Sequence, residues 1–338
     1  MLKTLLKKRL KLAFFGALLM LSAGVSAQDI GFSQFYANPL YLNPAFAGSQ
    51  VAPRISLVYR AQWPGLVSAF TTVSASYDQY FDDLHGGLGF IVMNDRQGDH
   101  GALTTSMISA MYAFRFQISR EVVASAALQA SIVNMALNWN NEYLRFPDQI
   151  NAEFGFAYPT GAQPPDNLSR WSPDFNAGLL VSGKKWYAGF AASHLTQPNQ
   201  AFYSEDRVPM KFTVHAGGLI NVSEESRRQS SLGLGSPIVS PNVVYQYQGG
   251  FHYFNYGVNL DWMPFLVGVW FRNGIHNADA FIFQAGVQQD YFKVGYSYDV
   301  TVSKLANTTA GAHEITVGVL LPVPEHKKKV RAIRCPSF

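Results

Sequence analysis

The 338-residue sequence predicts an all-β fold, a transmembrane outer-membrane β-barrel of about fourteen antiparallel strands. Three observations point there. The chain opens with an export signal. Its composition has only 14% charged residues beside 14% aromatic ones, yet no later apolar run reaches the length of a membrane helix. Its apolar residues alternate with small or polar ones at the period of a strand.

Residues 1–27 read as the signal peptide. Lys3, Lys7, Lys8, Arg9 and Lys11 make a positive start, "LAFFGALLMLSAG" a short apolar core, and "VSA" supplies the small residues that a signal peptidase reads. No cysteine follows the core, so lipid anchoring is not expected. Losing five basic residues takes the formal net charge from +4 to −1. The basicity of the whole chain is therefore no argument for a nucleic-acid partner, and none is expected.

Residues 28–52 come next. In "QFYANPLYLNPAFAG" two Asn-Pro pairs, Asn38-Pro39 and Asn43-Pro44, sit among Phe35, Tyr36, Tyr41 and Phe46. Prolines at this spacing break a helix and spoil a central strand. Because the segment precedes the first strand, it is expected at or in the periplasmic mouth. Two forms are open: a plug folded by the Asn-Pro turns, its aromatics on the inner wall, or a plain arm packed under the barrel. The four aromatics are also candidate partner contacts.

The barrel is assigned to residues 53–321. "YFKVGYSYD" alternates Phe292, Val294, Tyr296 and Tyr298 with Lys293, Gly295, Ser297 and Asp299. "FIFQAGVQQD" and "FHYFNYGVNLDW" alternate in the same way. The apolar face is expected to meet lipid and the small or polar face to line the interior. Strands are predicted near 53–60, 68–80, 86–95, 101–117, 120–137, 174–183, 185–194, 209–222, 238–247, 250–262, 264–272, 279–289, 290–299 and 312–321. With both termini in the periplasm, the long connections 138–173, 195–208, 273–278 and 300–311 face outward, and the tight ones at 119–120, 183–185, 263–264 and 289–290 face inward. The short outer connection near 247–250 and the long inner "SEESRRQSS" depart from that rule.

Residues 322–338 form a basic periplasmic tail. Pro322 and Pro324 stop the last strand, and Lys327, Lys328, Lys329, Arg331 and Arg334 follow. Such an arm suits an acidic protein surface or lipid headgroups. Cys335, the one cysteine, excludes an internal disulfide and is a candidate for an intermolecular thiol contact, the alternative being an inert free cysteine. In the outer loop, "NWNNEYLRFPDQ" offers Trp139 and Tyr143 as candidate aromatic contacts.

Reaction chemistry is sparse. The eight histidines are scattered, with no HExxH and no close pair at metal-ligand spacing. His313 and Glu314 are adjacent on a predicted strand, so their side chains point to opposite faces. No catalytic, cofactor or metal residues are assigned, and no enzyme activity is expected.

"FSQFYANPLYLNPAFAGS" and "PRISLVYRAQWPG" resemble the opening of the PorP/SprF family of Bacteroidetes outer-membrane proteins. Asn43, Pro44 and Gly48 fill the first element, and Tyr59, Arg60, Gln62, Trp63 and Pro64 the second. Near the end, Gly295 to Asp299, including Tyr296, and Gly311 to Ile315, including His313 and Glu314, resemble the family's GYSYD and HEI segments. The closing "CPSF" is similar too. The middle of the chain matches in general character only. The resemblance implies a non-enzymatic part of the type IX secretion system, which exports proteins bearing a C-terminal signal domain. It implies as partners the periplasmic ring lipoprotein PorK and ring protein PorN, or, in SprF-like members, a secreted or surface adhesin. A barrel with an N-terminal plug also suits a transporter of hydrophobic solutes.

Overall fold

The computed structural model describes residues 29–322, except 51, 67–68, 99–100, 141–143, 145, 152–153, 223–236, 276, 290 and 304–307. The predicted signal peptide, Tyr143 and the basic residues and Cys335 of the expected tail lie outside the described residues.

Among the described residues seventeen strands are numbered in chain order. They are β1 (Arg54–Gln62), β2 (Phe70–Phe81), β3 (Gly86–Gln97), β4 (Leu103–Gln117), β5 (Val123–Leu137), β6 (Ile150–Asn151), β7 (Gly155–Phe156), β8 (Ser169–Ser182) and β9 (Trp186–Ser193). Then follow β10 (Lys211–Gly218), β11 (Ile220–Asn221), β12 (Ile238–Gln248), β13 (Phe251–Trp262), β14 (Phe265–Gly274), β15 (Ala278–Gln289), β16 (Phe292–Thr301) and β17 (Ala312–Leu320). Fourteen of them span; β6 and β7 form a small hairpin in the outer loop, and β11 only prolongs the sheet beside β12. Every neighbour is antiparallel. β1 pairs with β17 from Arg54↔Leu320 to Gln62↔Ala312, and β10 pairs with β12, so the sheet closes on itself.

The two faces are sorted as a barrel in lipid requires. Ile108 and Leu128 point outward and are 63% and 71% exposed, while their neighbours Ser109 and Gln129 point inward and are 1% and 5% exposed. A soluble protein does not display such a continuous apolar exterior; a membrane barrel does. Among the described residues no helix is long and apolar enough to cross a membrane. Spanning strands of 8–15 residues bracket the length that a tilted strand needs.

Each of the fourteen predicted strands has its counterpart, and the differences have local causes. β8 starts at Ser169, before the predicted 174, and contains Pro173. β9 pairs only with Ala177–Ser182, so Pro173 lies on an unpaired flank, where its missing N–H breaks no ladder. β10 was expected to run to 222 but stops at Gly218. The ladder breaks opposite Pro241 of β12, between Gly217↔Asn242 and Ile220↔Val239.

The long connections 138–168, 194–210 and 302–311 leave one end of the barrel, here the loop end, where 275–277, expected to be long, is short; 183–185 and 263–264 turn tightly at the other, the turn end, where the long connection from β11 to β12 also lies. Outer-membrane barrels keep their tight turns in the periplasm.

Candidate functional site: a segment threaded through the lumen

Residues 29–50 lie inside the barrel. Proline opens two of the three short turns they make, an α-turn at Pro39–Leu42 and a 3₁₀ turn at Pro44–Phe46, where a missing N–H costs nothing. Another 3₁₀ turn covers Phe35–Ala37. Asn43 caps the last turn, its Oδ1 accepting the Ala45 N–H at 2.9 Å. A chain folded this tightly satisfies much of its own backbone, which a segment buried away from water must do.

The segment was expected to start at the periplasmic mouth. Its first described residue instead lies at the loop end, and the segment runs from there to the turn end, where it joins β1. Four groups of wall contacts mark the path.

At the loop end Asp29 is held by Lys211, by His194 Nε2 at 2.9 Å and by the Gln248 side-chain amide at 2.9 Å. His194 Nδ1 in turn meets Asp174 at 2.8 Å.

Next comes a buried ionic latch. Arg60 of β1 donates to Glu314 of β17 at 3.0 Å, to Asp299 of β16 at 3.1 Å and to the Ser33 hydroxyl at 2.6 Å. Arg272 of β14 donates to the same Asp299 oxygen at 2.8 Å and also pairs with Asp279. The Glu314 carboxylate accepts the backbone N–H groups of Ser33 and Gln34, both at 2.8 Å. Gln34 Nε2 donates to Ser297 at 3.2 Å, and Thr316 donates to Gln34 Oε1 at 2.9 Å.

Deeper in, Phe35 meets Trp270 edge-on with centroids 5.1 Å apart, Tyr36 stacks on that ring at 5.5 Å, and the Tyr36 hydroxyl donates to Gln284. Phe46 stacks on His215 at 5.3 Å. Asn43 Nδ2 donates to the carbonyls of Leu179 and Phe190 at 3.0 and 3.2 Å. At the turn end Asp78 accepts the Gly48 N–H at 2.8 Å while held by Arg54, also at 2.8 Å, and Arg115 donates to the Gly48 carbonyl at 2.8 Å.

The predicted site residues thus fall into distinct places. Phe35, Tyr36 and Phe46, expected as partner contacts, are buried against the barrel's own wall. Tyr41 is partly buried, with its hydroxyl on the Ile30 carbonyl and its ring beneath Lys211. Trp139 packs on Phe146 in the outer loop, at 5.0 Å. Gln62 accepts from Arg60 at 3.3 Å, and Trp63 follows it at φ 58°, edge-on to Phe70. The late motifs split between faces: Tyr296 and His313 pair outside the wall at 2.8 Å, while Asp299 and Glu314 point inward to the latch. Arg272, Asp29, His194 and Lys211 were not singled out in the sequence. Arg272 had a usable signal: it shares its face with Leu266, Gly268 and Trp270, where a cation needs an internal partner.

His194 lies just beyond β9. Burial alone would lower its pKa, but the carboxylates of Asp29 and Asp174 raise it to about 9. Burial likewise works against the Asp29 carboxylate, yet Lys211 and His194 hold its pKa far below the usual range. Since the folded pKa of His194 is raised, its contribution is complete below the ordinary 6.5 and is lost as pH rises through about 9. Hydrogen exchange at Ile30–Gln34, corrected for its intrinsic pH dependence, is therefore expected to speed up between pH 7 and 10, and His194→Gln to flatten that rise.

A family model described as "Type IX secretion system membrane protein PorP/SprF" matches residues 24–319. No curated protein matches the chain. Among solved structures it is similar to the outer membrane protein Omp33 of Acinetobacter baumannii, with 8% identity over 81% of this chain and 100% of that one and a TM-score of 0.43. It is also similar to the toluene transporter TbuX of Ralstonia pickettii, with 10% identity over 87% and 93% and a TM-score of 0.46. BamA of Haemophilus ducreyi lacking POTRA domains 1–3 shows 12% identity over 80% and 70%, with a TM-score of 0.39. At such scores these likenesses carry no argument about function. The family match spans the segment and nearly the whole barrel, and on that ground the chain belongs to the PorP/SprF family of type IX secretion system membrane proteins.

Proposed function

We propose that the chain is a non-enzymatic outer-membrane component of the type IX machine that works by holding protein partners and passes no cargo through its own lumen. One observation carries this reading: the lumen is occupied by the chain's own segment, with Leu40, Ala45 and Phe46 at 0–2% exposure. A cavity beside the segment, lined by residues such as Phe32, Asn38 and Tyr253, measures about 20 Å³, room for a water and not for a solute. The partners fitting this reading are periplasmic ring components, a PorK-like lipoprotein and a PorN-like ring protein, met at the turn end and by residues 322–338. In this role the barrel supports export of proteins bearing the C-terminal signal.

The test is mild-detergent extraction from outer membranes and identification of what co-purifies, with and without residues 322–338. Recovery of a ring lipoprotein that is lost with the tail is the expected result. Recovery of a surface adhesin in its place would move the chain to the SprF-like role. A barrel that purifies alone and carries a hydrophobic solute would overturn both roles and favour a transporter.

A further inference from the structure

The threaded segment has two halves held by different chemistry. Its inner half, Asn43–Ser49, is built into the wall. Phe46 lies between aromatic side chains, and Gly178 leaves room for Asn43, whose Oδ1 would lie 2.1 Å from a Cβ added there. The outer half, Asp29–Gln34, is held mainly by charges and hydrogen bonds: Asp29 by Lys211 and His194, the Ser33 and Gln34 N–H groups by Glu314, and the Ser33 hydroxyl by Arg60 and Asp299. Its fully buried apolar anchor is Phe32, edge-on to Tyr41 at 5.1 Å.

The wall behind the outer half differs accordingly. It is polar and charged, so it tolerates water. With the segment docked, several of its buried atoms find no protein partner: Arg60 Nε, Asp299 Oδ1, Asn273 Oδ1 and both polar side-chain atoms of Asn255. Hydration would satisfy each of them. Docking the outer half therefore exchanges one set of polar contacts for another, whereas withdrawing the inner half would open a well-packed contact with nothing to replace it.

We propose that the loop-end half of the lumen is a peptide-binding cup and that Asp29–Gln34 is its tethered, exchangeable occupant. The chemistry specifies the ligand class. It is an extended peptide with a carboxylate for Lys211 and His194 and, four residues later, a Ser-Gln pair whose successive N–H groups reach Glu314. An aromatic residue just before the serine fills the place of Phe32.

The test uses the full chain in proteoliposomes, with Cys335→Ser as background and a membrane-impermeant maleimide at the loop end. Ser33→Cys, nearly isosteric at a buried position, reports undocking of the outer half. Ala45→Cys reports undocking of the inner half. Ser33→Cys is expected to label slowly and Ala45→Cys not at all. Adding Asp29→Asn should raise the Ser33→Cys rate about tenfold, the factor expected for one weakened charge-assisted contact. A DIGFSQ peptide in excess should raise it too, and a scrambled peptide should not. Fluorescence anisotropy of labelled DIGFSQ on the Asp29→Asn chain, which keeps Ser33, gives an independent reading, with saturable binding lost on Glu314→Gln. The proposal is overturned if Ser33→Cys stays as inert as Ala45→Cys in every condition, if the two label alike, or if the scrambled peptide acts as well as DIGFSQ.

Discussion

Arg60→Ala is expected to cost the folded barrel about 3–5 kcal/mol, the range for stranding buried charges by removing one partner. Arg60 is 1% exposed and supplies contacts to both Glu314 and Asp299. Without it Glu314 keeps only two backbone N–H donors, and Asp299 depends on Arg272 and Ser33. Urea unfolding in lipid vesicles measures the loss. Arg60→Lys keeps the charge but not the planar fork, so it should recover only part. Stability within about 1 kcal/mol of the parent would mean that the latch does not hold the fold.

Gly87→Ala acts by shape instead of charge. A Cβ there would lie 2.2 Å from the Ala47 carbonyl oxygen, 2.3 Å from its carbon and 2.5 Å from the Gly48 nitrogen. These are backbone atoms just where the segment is pinned by Asp78, so no side-chain rotation relieves the clash. The expected cost is about 1–3 kcal/mol or more, with the segment pushed off the wall and open to protease in native membranes. Gly161→Ala, whose Cβ meets only Asp148 at 3.7 Å, should behave like the parent. An equally protected segment in both variants would show that the close approach at Gly87 can relax.

The barrel was legible in the sequence because a strand between lipid and lumen writes its two faces as alternation. Ile108 beside Ser109, or Phe283 beside Gln284, identifies the wall without any structure. Ladder details were not legible. Whether Pro173 and Pro241 interrupt pairing depends on what lies across from them, and that is set by strands distant in sequence. The candidate site was half legible. The opening and closing motifs supply Ser33, Gln34, Arg60, Asp299 and Glu314, yet their spacing says nothing of convergence. Only the pairing of β1 with β17 brings residues more than 250 positions apart to 3.0 Å. The direction of the segment was also hidden, because Asp29 is anchored by Lys211, His194 and Gln248, each an ordinary residue in its own stretch of sequence.

The threaded segment also crosses the one seam at which the barrel closes. Every other junction between neighbouring spanning strands follows chain order; the junction of β1 with β17 alone joins the beginning to the end. Ser33 and Gln34 touch both sides of that junction, through Arg60 on one and Glu314 and Thr316 on the other. The turns at Phe35–Phe46 fill the bore. With its next residues bonded to both sides of the seam, the segment works as a clasp as well as a filling: whatever loosens Ser33 and Gln34 also takes bonds from the one joint that makes the sheet a ring.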